Sequence, residues 1–252
     1  MNMKMVTKIQ YHALLAFVSW LLFTSPVHAV ERDIYFSTSV HSAWVWRGIT
    51  FNRSPVLQAY LGVPIKKSFS AGVWASATTH GYEEIQSANE IAEIDVSLAY
   101  QKTLFSVETK VEYVKANYPG SASQSADRAN VSLQVPLYSK LKAVVSYDYG
   151  FKGWLDNVEY SRAGLATDAI QLSPGGSLSA SLIGAHWSDD YQSGFSHVEY
   201  KIAYSIKKFQ LSVTHYDRQE ESTLPDYQPA RDAAPGVNGY DVSTVFNLSY
   251  TF

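Results

Sequence analysis

The chain has no cysteine. A disulfide framework, a thiolate zinc site and a cysteine nucleophile are therefore excluded, and an exported domain of this kind needs some other staple. Beyond residue 30 it also lacks any apolar run near the roughly 20 residues of a membrane-spanning helix. Mean hydropathy is −0.14. A helical membrane protein is excluded, but a β-barrel is not, because alternating apolar and polar residues average out. There is no excess of basic charge: 20 Lys and Arg stand against 23 Asp and Glu, for a net charge of −3. That balance offers no nucleic-acid surface. No glycine-rich phosphate loop and no metalloprotease motif is present.

What the chain does have is aromatic residues and alternation. Aromatics make up 14%, with 18 Tyr and 6 Trp. This excess suits the aromatic girdles of a membrane barrel. At the C-terminus Tyr240, Val242, Thr244, Phe246, Leu248, Tyr250 and Phe252 alternate with Asp241, Ser243, Val245, Asn247, Ser249 and Thr251. One face is apolar and the other almost wholly polar, as a strand between lipid and water requires. The terminal Phe252 resembles the signal by which bacterial outer-membrane barrels engage their assembly machinery, which makes that machinery an expected partner.

The N-terminus fits the same destination. Lys4 and Lys8 form a positive region, residues 13–23 (ALLAFVSWLLF) are apolar, and Val27-His28-Ala29 ends in a small residue. This is the pattern of a secretory signal peptide over residues 1–29, with Val30 as the expected mature start. About 220 residues remain, enough for one mid-sized barrel over residues 30–252.

Period-two alternation predicts twelve strands, over residues 34–46, 57–65, 69–78, 92–101, 105–113, 128–137, 141–152, 158–172, 178–187, 197–206, 209–218 and 240–252. Gly164 suggests a bulge in the eighth. On the first strand Ile34, Phe36, Val40, Trp44 and Trp46 share the apolar face. Aromatics at strand ends (Phe36, Trp44, Trp46, Phe69, Tyr100, Tyr113, Tyr147, Tyr149) are read as girdle residues. Short turns are expected at residues 66–68, 102–103, 138–140, 173–176 and 207–208, and longer loops at 80–90, 116–127, 152–157, 188–196 and 219–239. The first outer connection, residues 48–54, is among the shortest of that set. Short turns on one side and long loops on the other, with an even strand count, match the outer-membrane pattern. The expected fold is thus all-β, a transmembrane antiparallel up-and-down barrel, with outer-membrane lipids as its surroundings.

Three stretches resemble the TorF (Gcw_chp) family of outer-membrane β-barrel proteins. They are Trp44-Val45-Trp46-Arg47-Gly48-Ile49-Thr50 with Pro55 and Gln58 after it, Ala71-Gly72-Val73-Trp74-Ala75-Ser76, and Glu93-Ile94-Asp95 with Tyr100 five residues on. Trp44 stands where family members often carry Tyr. The likeness is strongest over residues 40–100 and implies an outer-membrane channel without naming a solute.

The polar faces carry charges of both signs: Arg47, Glu93, Asp95, Glu108, Lys110, Glu112, Arg128, Lys142, Asp148, Lys152, Glu199, Lys201, Arg218 and Asp241. Such a lumen holds water and sets ion preference by rings of charge, or pairs its charges across strands. The expected pore lining is Arg47, Gln58, Tyr60, Trp74, Glu93, Asp95, Glu108, Lys110 and Glu112. Glu93, Asp95, Glu108 and Glu112 together suggest a hard-cation site, but Lys110 between the last two argues against a cage, and Arg47 is expected to neutralise one of the four. No metal and no cofactor is expected. Tyr60, Trp74 and Tyr216 either stack on solutes or fill the barrel.

The leading function is a porin-like channel for passive diffusion of ions or small polar solutes. Its rivals are a plugged barrel acting through loop 219–239 and an interfacial hydrolase using His186 or His215 on the outer wall.

Overall fold

The computed structural model describes residues 34–78, 91–119, 125–153, 155–190, 193–218 and 242–252. The signal-peptide residues, loops 80–90 and 219–239, Tyr240 and Asp241 lie outside the described residues. No described helix is long and apolar enough to cross a membrane.

The described elements are all strands: β1 (Tyr35–His41), β2 (Trp44–Trp46), β3 (Ile49–Asn52), β4 (Val56–Lys66), β5 (Phe69–Thr78), β6 (Ile91–Leu104), β7 (Val107–Asn117), β8 (Ala126–Tyr138), β9 (Leu141–Gly153), β10 (Glu159–Thr167), β11 (Ile170–Ser173), β12 (Gly176–Ser188), β13 (Ser193–Ile206), β14 (Phe209–Asp217) and β15 (Thr244–Thr251). Leaving out the β2–β3 hairpin and counting β10 with β11 as one interrupted strand, twelve antiparallel strands form a closed ring. Closure comes from β1 against β15, with Ser37 opposite Thr251 and Val40 opposite Leu248. The amide of Phe252 donates to the carbonyl of Phe36 at 3.0 Å. A closed ladder leaves no sheet edge, which is what a strand protein needs inside lipid.

The period-two pattern explains which way each face points. Val40, Leu57, Leu61, Val73, Val96, Leu98, Leu182, Ile202, Leu211 and Leu248 are exposed although apolar. They form a continuous outward band far larger than a water-soluble surface tolerates. Aromatic pairs bound it at the short-turn end: Phe36 with Phe252, Phe69 with Tyr100, and Phe209 with Tyr250, at centroid separations of 4.8–4.9 Å. At the loop end Tyr113 stacks on Phe151. The band therefore reads as the lipid face. Leu98→Arg is expected to destabilise the barrel by about 2–4 kcal/mol, while Gln101→Arg, on the inward face, costs little. Urea unfolding midpoints in detergent or lipid measure the difference.

Four expectations are corrected. The first strand does not run to Trp46. It stops at His41, and residues 44–52 form a separate hairpin, so the 48–54 connection is not a short outer loop. The turn expected at Lys102-Thr103 lies at Phe105-Ser106, both with positive φ (49° and 69°). That is a tight two-residue hairpin turn, and it lacks the usual glycine or asparagine. At Gly164 there is no bulge, since register with both neighbours is unbroken through it. The interruption falls instead at residues 168–169, where the Asp168 amide leaves the ladder and donates to the Lys140 carbonyl. The last strand begins at Thr244 rather than at residue 240.

Candidate functional site

The lumen is shaped by the β2–β3 hairpin. Ser42 still pairs with β15, its amide donating to the Phe246 carbonyl at 2.9 Å and its hydroxyl accepting from the Phe246 amide at 3.0 Å. The chain then turns inward. Arg47 (φ 52°) and Gly48 (φ 78°) form the hairpin tip, the two positive φ values of a turn whose twist matches paired strands. Trp44 and Trp46, expected in the outer girdle, sit inside instead. Trp44 stacks on Phe51 at 5.1 Å, and Trp46 meets Phe51 edge-on at 6.0 Å.

The hairpin packs on a wall prepared for it. Ile49, Phe51 and Trp44 bury against Leu155, Val158, Tyr160, Ala185 and Trp187. Trp187 is 1% exposed and Ile49 0%. Full burial of each large apolar side chain contributes about 1.5–3 kcal/mol, so the hairpin is anchored by its own small core. A bulge in β13 makes room for this: Ala185 faces His197 and His186 faces Phe195, leaving Ser196 as an extra residue. Ser196 and His197 are consequently both buried, joined by a 2.7 Å hydrogen bond between Oγ and Nδ1.

The tip is pinned by charge. The Arg47 guanidinium pairs with Asp148 on β9 at 2.8 Å, both side chains being less than a tenth exposed. It lies 4.0 Å from the Trp46 ring centroid and 4.7 Å from that of Tyr160, a cation between two aromatic faces. Arg47 thus does not neutralise the acidic group on β6 and β7, as the sequence suggested. Arg128 reaches towards that group, at 3.8 Å from Asp95, while making a shorter 3.1 Å contact with Asp148.

Gly48 is required twice. Its φ favours glycine, and a Cβ there would meet the His197 ring at 2.5 Å. Gly48→Ala is expected to loosen the tip and raise protease sensitivity within residues 44–52, with the barrel ladder intact. Limited proteolysis of the folded barrel reads this directly.

Two cavities lie in the lumen, one against the hairpin and one away from it. One, of about 350 Å³, is lined by His41, Trp44, Trp46, Gln58, Tyr60, Trp74, Glu93, Asp95, Ser97, Glu112 and Arg128 among others. The other, of about 340 Å³, lies towards the short-turn end of the β8–β14 wall, with Gln134, Lys142, Arg162, Ser181, Glu199, Lys201 and Gln210 in its lining. Arg162 and Glu199 pair there at 3.1 Å.

Of the residues read as pore lining, Gln58, Tyr60, Trp74, Glu93, Asp95 and Glu112 share the first cavity. Arg47 is at the buried tip. Lys110 pairs with Glu112 at 2.9 Å. Glu108 stands apart, exposed near the Phe105-Ser106 turn and four residues from Glu112, roughly 13 Å along the strand. The four carboxylates therefore do not converge, and among the described residues no group of three or more His, Asp or Glu side chains has metal-holding placement. Lys152 lies 4.0 Å from Asp127. His186 and His215 are exposed. His215 Nδ1 lies 2.9 Å from Thr244 Oγ1, not from a serine. Sequence reasoning misses Arg162, Tyr160, Trp187 and His197 as hairpin contacts or cavity lining. The weak alternation of residues 158–172 hints at Tyr160 and Arg162 alone.

By sequence the chain matches no family model and no curated protein. By structure it is similar to a solved KdgM porin, with a TM-score of 0.51 at 8% identity over 87% of this chain and 97% of that one. It is also similar to a KdgM porin in complex with disordered oligogalacturonate, with a TM-score of 0.50 at 7% identity and the same coverage. At such identities the likeness speaks for the fold alone, and the fold is that of a porin-like β-barrel.

Proposed function

We propose that the protein is an outer-membrane channel through which ions or small polar solutes diffuse passively, past a constriction made by the β2–β3 hairpin. The observation that carries this reading is the shape of the lumen. The hairpin fills part of it with a dry core, yet a cavity of about 350 Å³ remains beside it and another of about 340 Å³ lies towards the short-turn end. Charged side chains run from Asp95 through Arg128 and Asp148 on the wall to Arg47 at the hairpin tip. A belt of both signs holds water and disfavours apolar solutes.

The same reading includes export by the residue 1–29 signal peptide, insertion through the Phe252 strand by the barrel-assembly machinery, and kinship with the TorF family. The solved oligogalacturonate complex concerns another barrel. Here paired charges and a cavity of this size favour solutes smaller than an oligosaccharide.

One observation favours a second reading, a plugged barrel acting through its loops: the buried cluster around Trp44, Ile49 and Trp187. Liposome swelling separates the two. The channel reading expects swelling with pentoses and hexoses that falls off steeply by trisaccharides. Absence of swelling with every solute would leave the plugged barrel as the account.

A further inference from the structure

We propose that the cavity between the hairpin and the β4–β8 wall is a binding station for a compact organic cation bearing N–H donors, such as a primary diammonium or a guanidinium compound. This rests on the channel reading, and supplies it with a solute class.

The first support is the division of charge between the two cavities. Glu93, Asp95 and Glu112 line this one, with Arg128 as the single guanidinium. The other has Lys142, Arg162 and Lys201 against Glu199. Within the acidic cavity Glu112 is paired with Lys110 at 2.9 Å, which leaves Glu93 and Asp95 with Arg128 as their nearest cation. Arg128 sits closer to Asp148 (3.1 Å) than to Asp95 (3.8 Å). Glu93, only 7% exposed, accepts a hydrogen bond from the Tyr118 hydroxyl at 3.1 Å, shares a carboxyl–carboxyl hydrogen bond with Asp95, and makes no ion pair among the described residues.

The second support is unmet hydrogen bonding in the cavity wall, at Asp95, which lines it, and at Ser76, which lies just behind the lining. Asp95 Oδ1 is buried with no donor, and so is the hydroxyl of Ser76, which is 0% exposed. Ser76 stands opposite Gln58 on one side and Glu93 on the other, both of which line the cavity. A buried polar atom without a partner is destabilising. That cost is relieved by a ligand that brings N–H groups, and not by charge alone.

The third support is aromatic. Trp44 and Trp74 both line the cavity, their rings inclined at 52° with centroids 6.1 Å apart. The Arg128 guanidinium already lies 5.9 Å from the Trp46 ring centroid, so a cation of this chemistry has a precedent within the cavity. A volume of about 350 Å³ is at the small end of ligand sites and suits a molecule of few heavy atoms.

The test is a titration of the refolded full-length barrel in detergent, followed by tryptophan fluorescence and calorimetry, with 1,4-diaminobutane, guanidinium, tetramethylammonium, calcium and acetate. Saturable binding of diaminobutane and guanidinium is expected, at least about tenfold tighter than tetramethylammonium, calcium or acetate. Combining Glu93→Gln with Asp95→Asn is expected to weaken it by a further factor of about ten or more. No saturation, or tetramethylammonium or calcium binding equally well, overturns the proposal. So does a folded form of that double variant that binds as before. The wild-type ligand series decides the matter even if the double variant does not fold. Saturable binding with silent bilayers would remove the channel reading and leave the site, whereas conduction without saturable binding would remove the site alone.

Discussion

Asp148→Leu is expected to undock the hairpin, and to do so more completely than Arg47→Met. Asp148 is the shared acceptor of two guanidiniums, Arg47 at 2.8 Å and Arg128 at 3.1 Å. Removing it leaves Arg47 without its carboxylate beside Arg128, which keeps only the longer contact to Asp95 at 3.8 Å. Breaking one buried pair costs about 3–5 kcal/mol, and here the lost partner serves two. Removing Arg47 costs less, because Arg128 still neutralises Asp148, and the aromatic contacts of Arg47 with Trp46 and Tyr160 are partly replaced by the methionine side chain. The chain's lack of cysteine makes the measurement clean. A single cysteine introduced at Phe51, a buried hairpin position, is expected to resist maleimide in the parent, label slowly with Arg47→Met and label fast with Asp148→Leu. Equal protection in all three would mean that the dry core, not the ion pair, seats the hairpin.

The second large effect concerns conduction. Replacing residues 43–53 by a short Gly-Ser linker is expected to raise single-channel conductance severalfold without unfolding the barrel. The ring of twelve strands closes without β2 or β3, which pair only with each other in a separate two-stranded sheet. Deletion therefore removes no hydrogen bond of the ring ladder. It does expose Trp187, Tyr160 and Leu155 to water, so some stability is lost along with the constriction. Heat-modifiable gel migration reports the barrel, and planar bilayers report the pore. Unchanged conductance in a folded deletion would show that the path runs clear of the hairpin or is closed elsewhere.

The barrel itself was legible in the sequence because lipid on one side and water on the other impose period two on every strand. Val96 and Leu98 against Asp95 and Ser97 announce their faces without any structure. The hairpin was not legible, for a physical reason. Trp44 and Trp46 continue the parity of Phe36 and Val40, so the pattern runs on through a point where the chain leaves the wall. Alternation reports which residues share a face, not whether that face meets lipid or a dry core inside the barrel. The available signal was Arg47-Gly48 between two aromatic stretches, a dipeptide suited to a tight turn. The site was legible in part. Gln58, Tyr60, Trp74, Glu93, Asp95 and Glu112 do meet around one cavity, because residues two apart on neighbouring strands must. That Arg47 joins Asp148, and that Glu108 stands apart, depends on how the hairpin crosses the lumen, which no local pattern encodes.

Single-channel recording of the full-length barrel in planar bilayers tests the central claim most directly. A lumen narrowed but not closed by a docked hairpin predicts small, discrete conductance steps, larger in the folded deletion of residues 43–53. Silent bilayers with correctly folded protein, or steps as large in the parent as in the deletion, would contradict it.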